Sequence, residues 1–158
     1  MKIELLAEHV TAIPTVARWI HSEWGHLLPD ATLETYVLDF EKRVKRHAIP
    51  ETLVALENDR VVGTASIVED DMSTRKELSP WLAAVYVTPE FRNRGIGSRL
   101  VRAAMQEAKM LGVKKLYLFT PDSMSFYSRL GWKVFGYTEF RGEHVTIMSY
   151  ELCDPTTP

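Results

Sequence analysis

The clearest chemistry in the chain lies in Val85-Tyr-Val-Thr-Pro-Glu-Phe-Arg-Asn-Arg-Gly-Ile-Gly-Ser-Arg-Leu100, which reads as a strand, a turn and the start of a helix. A helix N-terminus carries unpaired N–H groups at the positive end of its dipole. Glycines let the backbone come close to a bound anion, so Gly95 and Gly97, flanked by Arg92, Arg94 and Arg99, mark a candidate phosphate site. It is not a Walker A loop, because Gly97 is followed by Ser98-Arg99 and no lysine stands ready for a terminal phosphate. It is also a poor dinucleotide fingerprint, which needs a small residue where this chain has Leu100.

Other reactive side chains give weaker patterns. His26, His47 and His144 are scattered, and no spacing suggests a metal centre, so no metal is expected. The single cysteine, Cys153, excludes an internal disulfide and a multi-cysteine metal site. It has no histidine nearby to activate it, which argues against a covalent acyl-cysteine route.

The elements around these residues follow from periodicity. Lys2–Leu6 reads as a strand, and Ile13, Ala17, Ile20 and Trp24 form a helical stripe with Pro14 in the first turn and Gly25 at the end. A second helix is predicted over Ala31–Arg46, with Asp30 as N-cap and Leu33, Val37, Phe40 and Val44 on one face. Thr52–Glu57 and Arg60–Val68 form a hairpin across Asn58-Asp59, and a polar loop runs from Glu69 to Pro80. Leu82–Val87 is continuously apolar, as a strand buried on both faces would be. Leu100, Val101, Ala104, Ala108 and Leu111 place a helix over Gly97–Leu111, with Gly112 as its C′ residue. Strand Lys115–Phe119, short helix Asp122–Leu130 and an antiparallel pair, Trp132–Thr138 and Val145–Leu152, complete the chain. The result is an α/β protein with a mixed sheet of about seven strands and about four helices on its two faces.

With 158 residues, 46% of them hydrophobic, the chain fits one domain, residues 1–153, followed by a loose tail, 154–158. A net charge of −2 does not recommend nucleic acid as a partner. No apolar run is long enough for a membrane span, and Glu4 and Glu8 spoil a signal peptide, which leaves the cytoplasm as the default location.

Arg92-Asn-Arg-Gly-Ile-Gly97 resembles the Arg/Gln-x-x-Gly-x-Gly/Ala motif of the GNAT superfamily of acetyl-CoA-dependent N-acetyltransferases. Val85-Tyr-Val-Thr-Pro89 is similar to the strand before that motif. Phe126-Tyr-Ser-Arg-Leu-Gly-Trp132 is similar to the family's Phe-Tyr-x-x-x-Gly-Phe segment, with Trp132 in place of the last phenylalanine. The resemblance implies an acyltransferase that uses acetyl-CoA as co-substrate. The pyrophosphate would sit on the amides of Arg92, Asn93, Arg94, Gly95, Ile96, Gly97 and Ser98. The pantetheine arm would pair with the backbone of Val85 and Val87, with Tyr86 between, and a backbone N–H near Val85 would stabilise the tetrahedral oxyanion. Ser125 is a candidate hydroxyl contact to the pantetheine, and Thr120 stands roughly where the family often has an asparagine for that contact. Tyr127 is the implied catalytic acid, protonating the departing thiolate.

The acceptor implied is an amine: a small molecule, a lysine or a protein N-terminus. Glu69, Asp70 and Asp71 lie near where acceptors enter this fold, and their charge would attract a cationic amine, but the base stays unassigned. Family members are often homodimers, so a homodimer is an expectation of resemblance alone. The competing reading is a non-catalytic acetyl-CoA-binding sensor or interaction module, against which an intact turn and Tyr127 argue.

Overall fold

The computed structural model describes residues 1–152, so Cys153 and the tail at 154–158 lie outside the described residues. The chain runs β1 (Lys2–Leu5), α1 (Ile13–Trp24), α2 (Leu33–Glu41), β2 (Glu51–Glu57), β3 (Arg60–Val68), β4 (Trp81–Val87), α3 (Ile96–Met110), β5 (Lys115–Thr120), α4 (Met124–Arg129), β6 (Lys133–Phe140) and β7 (Glu143–Glu151). The strands form one sheet in the order β1-β2-β3-β4-β5-β7-β6. Every neighbouring pair is antiparallel except β4 and β5.

Strand alternation separates the core into two layers. On one face Leu53, Ala65, Leu82, Leu116, Leu118 and Met148 meet the stripe of α3, Ile96, Leu100, Val101, Ala104 and Ala108, together with Tyr127 of α4. On the other, Val54 and Leu56 meet Ile13, Val16, Ala17 and Ile20 of α1 and Phe40 of α2. Further along this second face, Trp81, Ala83 and Ile147 are covered by Met72 and Leu78 from the loop before β4. Asn58-Asp59 and Arg141-Gly142 turn their hairpins with both central residues at positive φ, the conformation that matches strand twist.

Three expectations are corrected. The second helix does not span Ala31–Arg46 but stops at Glu41, and its cap is Thr32, not Asp30. Thr32 is extended and exchanges hydrogen bonds with Thr35, so helix growth starts only after it. Val44 leaves the helix to make an isolated antiparallel bridge with Glu51. The final hairpin is longer than predicted, because the two-residue turn lets pairing continue to Phe140 and Glu143. Finally, β4 is buried over Trp81–Ala83 only; Ala84–Val87 remain partly open, for a reason that defines the site.

Candidate active site

Two departures from regular pairing open the middle of the sheet. Thr64 pairs with Tyr86 while Ser66 pairs with Ala83, so Ala84 and Val85 together oppose Ala65 in a β-bulge. Ala84 has a φ of +53°, which bends the strand there. On the other edge, β4 and β5 pair at Trp81 and Tyr117, where the Tyr117 N–H donates to the Pro80 carbonyl at 3.1 Å. No further Cα pairing joins them, and the gap between the diverging strands widens into a cavity of about 730 Å³. Val85, Tyr86 and Val87 of β4 and Leu118 and Thr120 of β5 form its two sides.

Arg92 brings the arginine-rich turn to this gap, whereas Asn93, Arg94, Gly95, Ile96, Gly97 and Ser98 do not line the cavity. Gly95, at a φ of +80°, is the N-cap of α3, and no side chain caps the helix, so its first amides are open. Positive φ, not crowding, requires glycine at 95, since a Cβ there would meet nothing within 4 Å. At Gly97 a Cβ would make ordinary contacts with Phe126 at 3.6 Å and Val87 at 3.8 Å. Arg92, Asn93 and Arg94 are exposed, Ile96 turns its side chain into the core, and Gly97 and Ser98 are half-buried. Arg92 lines the cavity and is braced, with its Nε donating to the Val87 carbonyl at 2.8 Å and its guanidinium 5.3 Å above the Tyr86 ring. The Tyr86 ring stacks on Trp19 at 5.6 Å and meets the edge of Trp24 at 6.4 Å. These contacts anchor its side chain among α1 aromatics.

Tyr127 reaches the cavity from α4, held edge-to-face against Phe126 at 4.9 Å and Trp132 at 6.2 Å. Burial first, and the nearby Asp122 carboxylate second, push its phenol above the ordinary value. It therefore stays protonated at neutral pH. Ser125 is exposed and lies outside the cavity wall, whereas Ser123 lines it. Thr120 also lines it, but its Oγ1 accepts the Ser123 N–H at 2.9 Å and thereby shapes the turn into α4.

The acidic loop divides into different residues. Glu69 is exposed and away from the cavity; Asp70 is exposed on its rim; Asp71 is half-buried inside. Burial pushes Asp71 up to about 7, against the opposing pull of Arg43 and Arg141. Arg43 is the residue that sequence reasoning missed, because the predicted helix hid it on a polar face. Beyond the real end of α2 it crosses to the cavity, where Nη1 donates to Ser66 Oγ at 3.5 Å and the guanidinium sits 4.7 Å above Phe40.

A sheet split between a parallel pair, beside an uncapped and arginine-flanked helix start, is the arrangement that the resemblance of Arg92–Gly97 to the GNAT motif implies. A profile of the Acetyltransferase (GNAT) family matches residues 13–132, and the chain belongs to that family. It is 35% identical over 91 residues to N-alpha-acetyltransferase 30 of Schizosaccharomyces pombe, covering 54% of this chain and 60% of that protein. Among solved structures, an aminoglycoside 6'-N-acetyltransferase complexed with coenzyme A superposes with a TM-score of 0.78 at 16% identity, over 98% of both chains. The ribosomal-protein-alanine N-acetyltransferase of Brucella melitensis gives 0.75 at 21% identity, over 96% of this chain and 99% of that one. At these identities the structural likeness establishes the fold. Among the described residues, no helix is long and apolar enough to cross a membrane.

Proposed function

We propose that this chain transfers the acetyl group of acetyl-CoA directly to a primary amine held in the same cavity. The observation that carries the reading is one cavity lined by the bulge of β4, by Tyr127 and Asp71, and by Arg92, which leads into the turn before the uncapped start of α3. Coenzyme A bound to a relative of the same fold supports it.

In this reading the amides from Arg92 to Ser98 receive the pyrophosphate, and the β4 backbone at Val85 and Val87 pairs with the pantetheine. The amine must shed a proton before its lone pair can attack. Asp71, raised to about 7, is the base we assign, since an ordinary carboxylate would be too weak to accept that proton at neutral pH. The nitrogen attacks the thioester carbonyl carbon, the N–H of the bulge near Val85 steadies the oxyanion, and the C–S bond breaks as Tyr127 protonates the sulfur; the second proton shed by the new amide nitrogen restores the Tyr127 phenol. The relative's name and a lining in which Glu23, Asp39, Asp70, Asp71, Asp122 and Glu143 outnumber Arg43, Lys76, Arg92 and Arg141 support a cationic amine such as a protein N-terminus as acceptor.

The test is thiol release from acetyl-CoA across small amines, polyamines, aminoglycosides, lysine peptides and peptides with free N-termini. Turnover on at least one class is expected. Tight acetyl-CoA binding with no turnover on any would favour the sensor reading instead.

A further inference from the structure

A second group of ionisable side chains meets far from the cavity. Glu51 begins β2 on the face it shares with Leu53 and Ala55, which packs against α3, and Glu107 reaches it from the last turn of that helix. His47, on the loop between α2 and β2, places its Nδ1 2.7 Å from a Glu107 carboxylate oxygen. One ligand atom from each of the three lies within 4.8 Å of the other two. None of the three lines the cavity.

Glu51 is the informative member. It is only 1% exposed. Its Oε2 accepts the Ala48 N–H at 3.2 Å, but its Oε1 has no hydrogen-bond partner among the described residues. A buried carboxylate oxygen without a partner is strongly unfavourable, and here its neighbour is another carboxylate. The nearby cation Arg46 pairs with Glu8 instead. Two carboxylates thus meet at a single imidazole, and the pair is relieved either by a proton held between Glu51 and Glu107 or by a bound cation.

We propose that His47, Glu51 and Glu107 form a site for a divalent transition-metal ion of the zinc type, which clamps the 42–50 loop to α3. One imidazole nitrogen and two carboxylate oxygens are a borderline donor set that suits Zn²⁺ better than Mg²⁺ or Ca²⁺, which take oxygen-only shells. Zinc bonds of about 2.0–2.2 Å need donors roughly 3.4 Å apart, so the 2.7 Å contact between His47 and Glu107 must open and the three donors, now within 4.8 Å of one another, must close around the ion. The His47 side chain is 67% exposed. The ion supplies positive charge beside Glu51 Oε1, and water completes the shell. The site lies outside the proposed reaction path, so it stands whether or not the acetyltransferase reading does.

The test uses the untagged 158-residue chain stripped with EDTA and titrated with ZnCl₂, by calorimetry and by thermal unfolding. One Zn²⁺ per chain should bind, and excess ZnCl₂ should raise Tm by about 5 °C or more, with no shift from MgCl₂. His47→Ala, an exposed substitution that should leave the fold intact, and Glu107→Gln should each weaken binding at least about tenfold. The proposal is overturned by the absence of saturable binding at about 100 µM ZnCl₂, or by equal affinity in the wild type and in His47→Ala.

Discussion

Trp81, Leu82 and Ala83 in the first half of β4 are buried, whereas Ala84 to Val87 in the second half stay partly open, although the whole strand is apolar or aromatic. The first half is packed between Leu116 and Leu118 on one face and Met72, Leu78 and Ile147 on the other. The second half has lost its neighbour on the β5 side and carries the bulge. Apolar composition makes a strand; pairing decides whether the strand stabilises the fold or presents backbone to a ligand. The two halves should therefore respond to mutation in opposite ways.

The largest effect is expected at the ligand end. Gly95→Asp places a carboxylate beside the open amides of α3, where it would repel a pyrophosphate. Asp tolerates positive φ better than most residues, and space around Gly95 is open, so the fold should survive. Acetyl-CoA binding, followed by calorimetry, should disappear. Near wild-type affinity in a folded variant would show that the site is misplaced.

At the packed end, Trp81→Ala should reduce stability by about 3–5 kcal/mol, since Trp81 is fully buried and its indole N–H donates to the Leu78 carbonyl at 2.7 Å. Denaturant unfolding measures the loss. Whatever fraction stays folded should keep its acetyl-CoA affinity. Lost affinity with unchanged stability would erase the distinction between the halves.

Asp71→Asn sits on the working side and should lower kcat by roughly 10²-fold, within the usual range for a general base. Wild-type activity should rise with pH through about 7 as Asp71 ionises, and the variant should lose that inflection. Stability should move the other way. The native pKa lies above the unfolded value, so the folded state holds the extra proton and wild-type stability falls between about pH 4 and pH 7. The variant should escape that fall and be the more stable protein at pH 8. An unchanged pH–rate profile would remove Asp71 from the mechanism.

These sites were unequally legible in the sequence. The open helix start after Arg92 could be read because strand, glycines and helix are contiguous in the chain; its role in holding pyrophosphate is the proposal made above. Asp71 could not be separated from Glu69 and Asp70, because its distinction comes from burial and from Arg43 and Arg141, which are distant in sequence. Arg43 itself was hidden by a helix that Thr32 starts later, and that ends sooner, than periodicity suggested. Ser123 and Ser125 are two positions apart, yet one lines the cavity and the other does not, a difference set by the turn that Thr120 holds. His47, Glu51 and Glu107 have no sequence signature because a loop, a strand and a helix each supply one of them.

The smallest effect is expected from Tyr127→Phe, and it sharpens the comparison most. The ring packs against Phe126 and Trp132, so removing only the hydroxyl should leave stability and acetyl-CoA affinity nearly unchanged. If the hydroxyl gives its proton as sulfur departs, kcat alone should fall, by about 10²-fold or less, because a thiolate can leave without full assistance. Burial raises the phenol further, so it donates only as charge builds on the sulfur. The loss should accordingly shrink with a thioester whose thiol is more acidic. Single-turnover kinetics on both thioesters separates this from packing. An equal loss on both would mean that Tyr127 shapes the cavity rather than transfers a proton, and an unchanged kcat would place it with the buried half of β4 as a structural aromatic.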